Sequence, residues 1–594
     1  MKDLQSLIPY LRPYRHLIAW GLVMVVLANL FSLAAPYLIR EAIDAIGQTG
    51  ATRSVITRYS GLIVLAALLG GAARFAMRQI LNGVSRRVEM DLRNDFFQRL
   101  LQLDASFYAR MPTGEIMSRA TNDIQAVRMA AGPAYMYLVN TAVMSIFALT
   151  LMAWIDPWLT VVALIPILAL PPVTLGFGQL IHQRFEKIQE QFGTLSTMAQ
   201  ENLAGARIVK AYGREDQQSE RFRQLSEEYL NRNMRLARVS GLFHPMLSLF
   251  SGLAMVVVLL VGVRSVIAGT ITIGDFVAFT LYLGMLAWPM IALGWVVNLF
   301  QRGAASMRRI NNVLIAVPAV SDAPEALRLP EIRGQLEFRN VWFRYPGAKE
   351  AVLQNLSFTV AAGSRVAIVG GTGSGKSTVV SLIVRLFDPT EGEILLDGVP
   401  LSRIPLEQLR GAIGIVPQDT FLFSDSIRAN LAVGSAEDGQ LLEELIVRGS
   451  RVAQLHETVS EFPGGYETLL GERGVNLSGG QKQRAALARA IARNPRVLIL
   501  DDALSAVDTH TESEILKGLG EVMRERTSIT VSHRVSAVRD ADEILVLEDG
   551  RIAERGTHGE LLREGGIYAG LLHRQLLSED LEAEGILADG SASL

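Results

Sequence analysis

A glycine-rich stretch in the second half of the chain has the residue types and spacing that hold phosphate groups in proteins. An apolar run, residues 366–369, precedes it, and a helix-compatible segment follows it. Glycines let backbone N–H groups close around phosphate oxygens, and the positive end of the helix dipole adds to the attraction. Lys376 supplies a positive charge, and Ser377 supplies a hydroxyl for Mg²⁺. The predicted phosphate-binding residues are Gly370, Gly371, Thr372, Gly373, Ser374, Gly375, Lys376, Ser377 and Thr378.

A carboxylate at the end of a second apolar run predicts another ligand for Mg²⁺. Residues 497–500 are all apolar, and Asp501 follows them directly. A strand that ends in Asp beside a phosphate loop commonly delivers a second metal contact. Many strands end in Asp, so this prediction depends on the phosphate loop. Together the two features predict a site for a nucleoside triphosphate and Mg²⁺.

A short motif between these two features makes the resemblance to a known family specific. The residues are Leu477, Ser478, Gly479, Gly480 and Gln481, and they match the signature sequence of ABC ATPases. The resemblance implies that the cofactors are ATP and Mg²⁺. It also implies that the glycine pair and the following helix N-terminus form a second anion site, which faces the γ-phosphate held by another ATPase domain.

Further segments resemble the family's motifs and occur in the family's order. Tyr345 is similar to the aromatic residue that stacks on adenine, and Gln418 to the glutamine that senses Mg²⁺. His533 resembles the switch histidine that contacts the γ-phosphate. Residues 471–474 resemble a loop specific to exporters, and residues 505–508 resemble the loop that crosses to the partner site. Taken singly, each of these residues could be an ordinary surface residue.

The chain departs from the family at the residue that should act as catalytic base. The family has Glu there, whereas this chain has Asp502, which is shorter by one C–C bond of about 1.5 Å. A misplacement of about 1 Å can slow a reaction about a hundredfold. We therefore expect the site built on Lys376, Asp501 and Asp502 to bind ATP well and to cleave it slowly. This replacement resembles one subunit of heterodimeric exporters; a homodimer with a slower base and an engineered substitution are the alternatives.

The first half of the chain predicts the elements that anchor this site to a membrane. Long uncharged runs reach the roughly 20 residues that a membrane-spanning helix needs; they cover residues 17–38, 130–155, 157–181, 239–263 and 276–300. A weaker run, residues 59–73, ends at Arg74. Arginines before the first run place the N-terminus in the cytoplasm, where ATP is also found. Because the N-terminus and the ATP-binding half lie on the same side of the membrane, the number of spans must be even, so we predict six.

Two long loops between the spans are rich in arginine and are therefore expected in the cytoplasm. Residues 89–103 and 185–203 within them have helix-compatible periodicity, so both loops should project as helices. Residues 112–123 and 199–214 are similar to the two cytoplasmic loops of ABC exporters. In that family such loops carry short coupling helices that dock on the ATPase domains, the second one on the partner's.

The predicted fold is a six-helix α-helical transmembrane domain fused to an α/β P-loop ATPase domain, the ABC nucleotide-binding domain. Residues 1–316 form the membrane domain, 317–333 a linker, 334–577 the ATPase domain and 578–594 a disordered tail. After residue 334, short β-rich runs alternate with helical stretches, which favours a mostly parallel sheet. The chain thus resembles a half-exporter of the type IV class (also called type I exporters), which includes multidrug and lipid exporters.

Composition limits the classes of partner and chemistry. The chain has no cysteine, which excludes disulfides and thiolate chemistry, and its net charge of −2 gives no reason to expect a nucleic-acid partner. Hydrophobic residues reach 49%. The expected partners are membrane lipids, a hydrophobic or amphipathic substrate and a second half-transporter, with a heterodimer favoured over a homodimer. The expected location is the bacterial inner membrane; a regulatory ATP-binding protein and an ATP-gated channel are rival classes.

The sequence says less about the identity of the transported substrate than about the ATPase site. Polar and aromatic residues occur within the spans, and arginines occur at the predicted inner ends of spans two and six; these residues are Asn140, Thr141, Trp288, Met290, Trp295, Asn298, Gln301, Arg74, Arg78 and Arg302. One interpretation is an amphipathic cavity for drugs, lipids or peptides, with arginines for an anionic head group. The other is helix packing, with arginines that mark the membrane edge.

Overall fold

The computed structural model describes residues 2–49, 53–435, 437–535 and 537–583. The chain forms two compact units. The first comprises Met1–Leu101 and Thr113–Ala316, and the second comprises Gln102–Pro112 and Val317–Leu594.

Helices are the regular secondary structure of the membrane unit, and its described residues include no strand. Its α-helices, in chain order, are α1 (Ile8–Leu11), α2 (Arg15–Thr49), α3 (Arg53–Gln102), α5 (Thr113–Ser118), α6 (Ile124–Met129), α7 (Tyr135–Ile155), α8 (Pro157–Ile167), α9 (Leu170–Ala204), α10 (Ala206–Ala211), α11 (Glu215–Ile267) and α12 (Ile273–Leu314), while α4 (Ala105–Arg110) groups with the second unit. Turns of π-helix at Arg119–Asp123 and Ala130–Ala134 join α5, α6 and α7 into one continuous segment.

Six segments of the described chain are long and apolar enough to cross a membrane, as predicted. The weak run at residues 59–73 belongs to α3, which has 50 residues and is therefore about 75 Å long. That length exceeds the hydrocarbon core of about 30 Å by far. Both predicted cytoplasmic helices are consequently direct continuations of spans, residues 89–102 within α3 and residues 185–203 within α9.

Polar contacts tie the start of α12 to the end of α2 in the membrane unit. The Asp44 carboxylate accepts hydrogen bonds from Thr272 Oγ1 at 2.8 Å and Gly274 N at 3.0 Å. Arg40 forms an ion pair with Asp275 at 2.7 Å. A Cβ at Gly274 would lie 2.5 Å from the Arg40 carbonyl oxygen, so only glycine permits this close approach.

The second unit contains two sheets and the helices that cover them. Its strands are β1 (Leu336–Phe343), β2 (Leu353–Val360), β3 (Arg365–Gly370), β4 (Glu391–Leu396), β5 (Val399–Pro400), β6 (Ile413–Val416), β7 (Val497–Asp501), β8 (Thr527–Val531), β9 (Glu543–Glu548) and β10 (Arg551–Gly556). Its further helices are α13 (Lys376–Ile383), α14 (Leu406–Ala412), α15 (Ile427–Ala432), α16 (Gly439–Val452), α17 (His456–Ser460), α18 (Gly479–Ala492), α19 (Thr509–Met523), α20 (His558–Glu564) and α21 (Ile567–Ala583).

The larger sheet has the order β10-β9-β3-β8-β7-β6, and all its pairs except β10 with β9 are parallel. This sheet agrees with the predicted mostly parallel sheet. A second sheet, β2-β1-β4-β5, is antiparallel and was not predicted. Strand β7 is buried on both faces: Val497 and Ile499 belong to one core cluster, and Leu498 and Leu500 belong to another.

The structure describes all of residues 317–335, and they form no helix or strand. They nevertheless pack on the rest of the second unit. Ile332 is buried in its core, and Asp322 accepts a hydrogen bond from Leu406 N at 2.7 Å. Asp104, the N-cap of α4, accepts one from Ala319 N at 2.9 Å.

The last described helix overlaps the first residues of the predicted disordered tail. Helix α21 continues through Ala583, because residues 578–583 (Ser-Glu-Asp-Leu-Glu-Ala) are compatible with a helix that is already formed. Residues 584–594 lie outside the described part of the chain.

Candidate functional site

One edge of the larger sheet gathers most of the sequence-predicted site residues. Strands β3, β8, β7 and β6 are neighbours and run parallel, so their carboxyl ends lie at the same edge. The glycine-rich loop follows β3, His533 follows β8, Asp501 ends β7, and Gln418 follows β6. Ligands of open parallel sheets bind at this edge.

The glycines of the loop adopt backbone conformations that other residues rarely adopt. Gly373 and Gly375 have φ angles of 84° and 102°. A Cβ at Gly375 would lie 2.6 Å from Leu353 Cδ2, and one at Gly370 would lie 2.2 Å from the Leu547 carbonyl oxygen. A Cβ built at Gly371 or Gly373 instead has no atom within 4 Å. The loop is therefore packed against the protein at Gly370 and Gly375 and open at Gly371 and Gly373.

Two side chains of the loop are arranged as a phosphate group requires. Lys376 is only 6% exposed, and its Nζ donates to the carbonyl oxygens of Gly370 at 2.9 Å and Gly371 at 2.8 Å. The hydroxyl of Ser374 is buried and has no hydrogen-bond partner in the described structure. An unpaired buried hydroxyl in the same loop as a buried ammonium group fits an anion, because the anion would supply the missing partner. The residues present therefore fit the triphosphate of ATP.

Asp501 and Ser377, which were predicted as metal ligands, lie near each other. Asp501 is 5% exposed, and the Ser377 side chain lies close enough to its carboxylate to act on its pKa. Burial raises the pKa of Asp501 above its ordinary value, with Asp502 adding repulsion, while Ser377, Lys376 and His533 oppose the rise. Burial likewise lowers the pKa of Lys376. A neighbouring carboxylate and hydroxyl are hard oxygen ligands, which fit Mg²⁺.

Asp502 lies directly beyond β7 in left-handed backbone, with φ of 52°. Its N–H donates to the Val531 carbonyl oxygen at 2.9 Å, which fixes the start of its side chain relative to β8. Asp tolerates this backbone region better than most residues. The carboxylate is half-buried and close enough to Lys376 to act on its pKa.

Gln418 and His533 are both exposed at the same sheet edge. Tyr345 comes from the other sheet: it is partly buried, its ring packs edge-on against Phe343 and Phe387, and its hydroxyl lies 3.1 Å from Thr378 Oγ1. Thr378 belongs to α13, so the hydrogen bond ties Tyr345 to the helix that follows the loop.

The signature residues lie on the other side of the sheet from the phosphate loop. Ser478 caps α18: its Oγ accepts from Gln481 N at 3.3 Å, and Gln481 Oε1 accepts from Ser478 N at 2.9 Å. Leu477 and the apolar face of α18 pack in the cluster of Leu498 and Leu500. Helix α13 packs in the cluster of Val497 and Ile499. Ser478 and Gly479 themselves are exposed.

A polar network that the sequence did not predict joins the signature helix to the crossing loop, residues 505–508. The buried Gln483 donates to Ser505 Oγ at 2.8 Å and accepts from Ala506 N at 2.8 Å. Gln483 stands two residues beyond the signature, and no local pattern distinguishes it from Gln481.

The same network reaches the switch loop that carries His533. Arg534 donates to the Ser505 carbonyl oxygen at 3.2 Å and to the buried Glu512 carboxylate. Farther along, Gln575 of α21 accepts from Val535 N at 2.7 Å. The signature helix, the crossing loop and the switch loop are therefore held as one unit.

Comparison with protein families agrees with this architecture. A family model described as the ABC transporter transmembrane region matches residues 18–290, and one described as ABC transporter matches residues 353–505. The second range contains the phosphate loop, the signature and Asp501.

Similar proteins cover nearly the whole chain. The multidrug resistance-like ATP-binding protein MdlA of Escherichia coli is 37% identical over 96% of both chains. The probable multidrug resistance transporter YheI of Bacillus subtilis is 38% identical over 94% of this chain and 95% of its own. The ATP-dependent lipid A-core flippase of Syntrophus aciditrophicus is 33% identical over 98% and 96%. A solved bacterial Atm1-family ABC exporter with ATP bound has a TM-score of 0.78 and 31% identity, over 94% of this chain and 98% of that chain.

The fold and the site thus define a transport ATPase with a fused membrane domain. The chain belongs to the ABC transporters and has the architecture of their exporters. It is a multi-pass protein of the inner membrane with a cytoplasmic ATPase domain, which binds ATP and couples its hydrolysis to transport.

Proposed function

We propose that the chain is one subunit of a two-chain exporter that moves hydrophobic or amphipathic substrates (drugs, lipids or peptides) out of the cytoplasm or the inner leaflet. The relatives named for multidrug resistance and for lipid A-core flipping support this range of substrates. A homodimeric exporter or flippase is the alternative assembly.

The observation that carries the two-chain proposal is the position of the signature. The phosphate loop and the signature helix pack on opposite faces of the larger sheet, so they cannot close around the same nucleotide within one domain. The exposed N-terminus of α18, with Ser478 and Gly479, is free to meet a nucleotide held elsewhere. A second ATPase domain supplies that nucleotide, and its own signature completes the site on Lys376.

An exposed apolar tip of the membrane unit supports the same assembly. Leu203, Ile208 and Tyr212 around the short helix α10 are 79%, 66% and 76% exposed. Clustered exposed apolar side chains commonly mark protein interfaces. We infer that this tip is the coupling helix that docks on the partner's ATPase domain.

The site residues take the following roles in the proposed cycle. The loop amides and Lys376 hold the phosphates, and Tyr345 faces the adenine. Mg²⁺, when bound by Ser377, Asp501 and Gln418, would neutralise charge on the phosphate oxygens. Asp502 orients the attacking water, and His533 contacts the γ-phosphate. ATP binds the closed pair of ATPase domains more tightly than the open pair, and this difference in affinity drives alternating access.

We further propose that the complex is a heterodimer in which the site on Asp502 hydrolyses ATP slowly. The backbone of Asp502 is anchored to Val531, so its shorter side chain cannot move toward the water by a shift of the main chain. In this arrangement the signature of this chain completes the fast site of the partner. A regulatory protein that binds ATP without transport is a further alternative, which substrate-stimulated ATPase activity would contradict.

The test is the ATPase turnover of this chain purified alone in lipid, compared with its Asp502→Glu variant. If the Asp502 site is slow because its carboxylate is too short, wild type is nearly silent and Asp502→Glu gains about tenfold or more. Asp549→Glu is the matched control, because Asp549 has the same left-handed backbone, with φ of 48°, in the turn between β9 and β10. Brisk wild-type turnover that Asp502→Glu leaves unchanged favours the homodimer.

A further inference from the structure

A cavity of about 540 Å³ lies among the spans of the membrane unit. Its walls come from α2, α3, α7 and α12, and its volume is in the range of small-molecule sites, about 300–1,000 Å³. One wall is polar: Asn29 Nδ2 donates to Asn140 Oδ1 at 2.9 Å. The other walls carry flexible or aromatic apolar side chains, including Met77, Met144 and Trp288.

Two arginines of α3, Arg74 and Arg78, line the cavity. They are four residues apart on one helix, so both guanidinium groups can reach the same ligand. Arg74 Nη2 donates to Ser32 Oγ at 2.7 Å. The described residues that line the cavity include no Asp or Glu, so the two positive charges are not neutralised there.

These arginines do not mark the membrane edge, which was one interpretation of the sequence. Leu81, one turn beyond them, still packs against Gly21 near the start of α2: a Cβ at Gly21 would lie 2.4 Å from Leu81 Cδ2. Ser32, which Arg74 contacts, lies farther along α2 by about 16 Å at 1.5 Å per residue. Charged side chains at such depth are rare and almost always face a cavity with a function.

We infer that the cavity binds an amphiphile with an anionic head group, a phosphate or carboxylate, held by Arg74 and Arg78 with its apolar body against Trp288 and the methionines. Guanidinium groups match the geometry of these anions, and the unpaired positive charge disfavours cationic amphiphiles. The inference deepens the proposed function and rests on it: the ligand is the transported substrate.

The test is equilibrium binding to the whole complex, purified through a tag on this chain and placed in phosphatidylcholine nanodiscs. The probe is ³²P-labelled dodecyl phosphate, and the competitors are dodecyltrimethylammonium and dodecyl maltoside, which carry the same tail. The double variant Arg74→Gln/Arg78→Gln should weaken binding about tenfold or more. Arg74→Lys/Arg78→Lys, which keeps both charges, should retain most of it. Arg58→Gln, on the exposed outer part of the same helix and outside the cavity, is the matched control and should change nothing.

Unchanged affinity in the Gln double variant would overturn the inference, and so would competition by dodecyltrimethylammonium as strong as that by unlabelled dodecyl phosphate. Competition by a lysophosphatidic acid identifies a bilayer lipid as the source of the ligand. Competition by dodecanoate alone identifies a soluble amphiphile, and either result supports the anionic class.

Amphiphile-stimulated ATPase turnover of the same samples separates this inference from the proposed function. Arginine-dependent binding without any stimulation contradicts the exporter function and leaves the anion site standing. Stimulation that does not depend on the two arginines contradicts the anion site and leaves the exporter function standing.

Discussion

Gly375 closes the phosphate loop in a conformation that combines left-handed backbone with a tight contact to Leu353. Gly375→Ala therefore adds both backbone strain and a clash, and we expect it to destabilise the ATPase unit by about 1–3 kcal/mol. The midpoint of thermal unfolding without nucleotide should fall, and ATP should bind more weakly. Gly371→Ala is the control, because a Cβ there meets open space; an equal drop in both variants would contradict the geometry of the loop.

At the scale of elements, Gln483 is the contact through which the signature helix positions the crossing loop. Gln483→Ala removes the hydrogen bonds of the buried Gln483 side chain to Ser505 Oγ and to the Ala506 N–H, a loss of about 1 kcal/mol each. We expect about a tenfold lower kcat with a nearly unchanged KM for ATP, because the nucleotide-binding residues stay intact. Gln440→Ala on the exposed face of α16 serves as the control. A raised KM with normal kcat would assign Gln483 to nucleotide binding instead.

Some secondary-structure elements of this protein can be predicted from its sequence, and others cannot. The spans within α2, α7 and α11 were predictable because an uncharged run of bilayer length has few other structures available. The phosphate loop was predictable because its spacing is local. The antiparallel sheet of β1, β2, β4 and β5 was not, because its register depends on pairs distant in sequence, such as Leu336 with Leu396.

For the same reason, Gln483 left no local signal and the sequence left two interpretations of Arg74 open. Gln483 bonds to Ser505, and Arg74 bonds to Ser32, across separations of 22 and 42 residues. The sequence allowed Arg74 either to mark the membrane edge or to face a substrate cavity, and packing places it beside the cavity. The sequence shows that a charged residue is present, but only the tertiary structure shows which groups surround its side chain.

At the scale of the whole molecule, the six-span topology predicts which surfaces face each side of the membrane. The chain has no cysteine, so single cysteines can be introduced without background. Ala268→Cys, in the exposed link between α11 and α12, should react with an impermeant maleimide from outside intact cells. Ser219→Cys, exposed on the extension of α11, should react only in inverted vesicles. Labelling of both positions from one side would show that α11 does not cross the membrane and would contradict the six-span topology.

The most direct test of the account uses the intact complex, purified from its native membrane through a tag on this chain. We measure its steady-state ATPase turnover with Asp502→Asn in this chain, and with Ser478→Arg as the comparison. In a heterodimer whose fast site lies on the partner, Asp502→Asn retains turnover within about twofold, because the slow site contributes little. Ser478→Arg abolishes it, because this signature completes the fast site. A loss of about a hundredfold with Asp502→Asn would contradict the account and make Asp502 the working base of a homodimer.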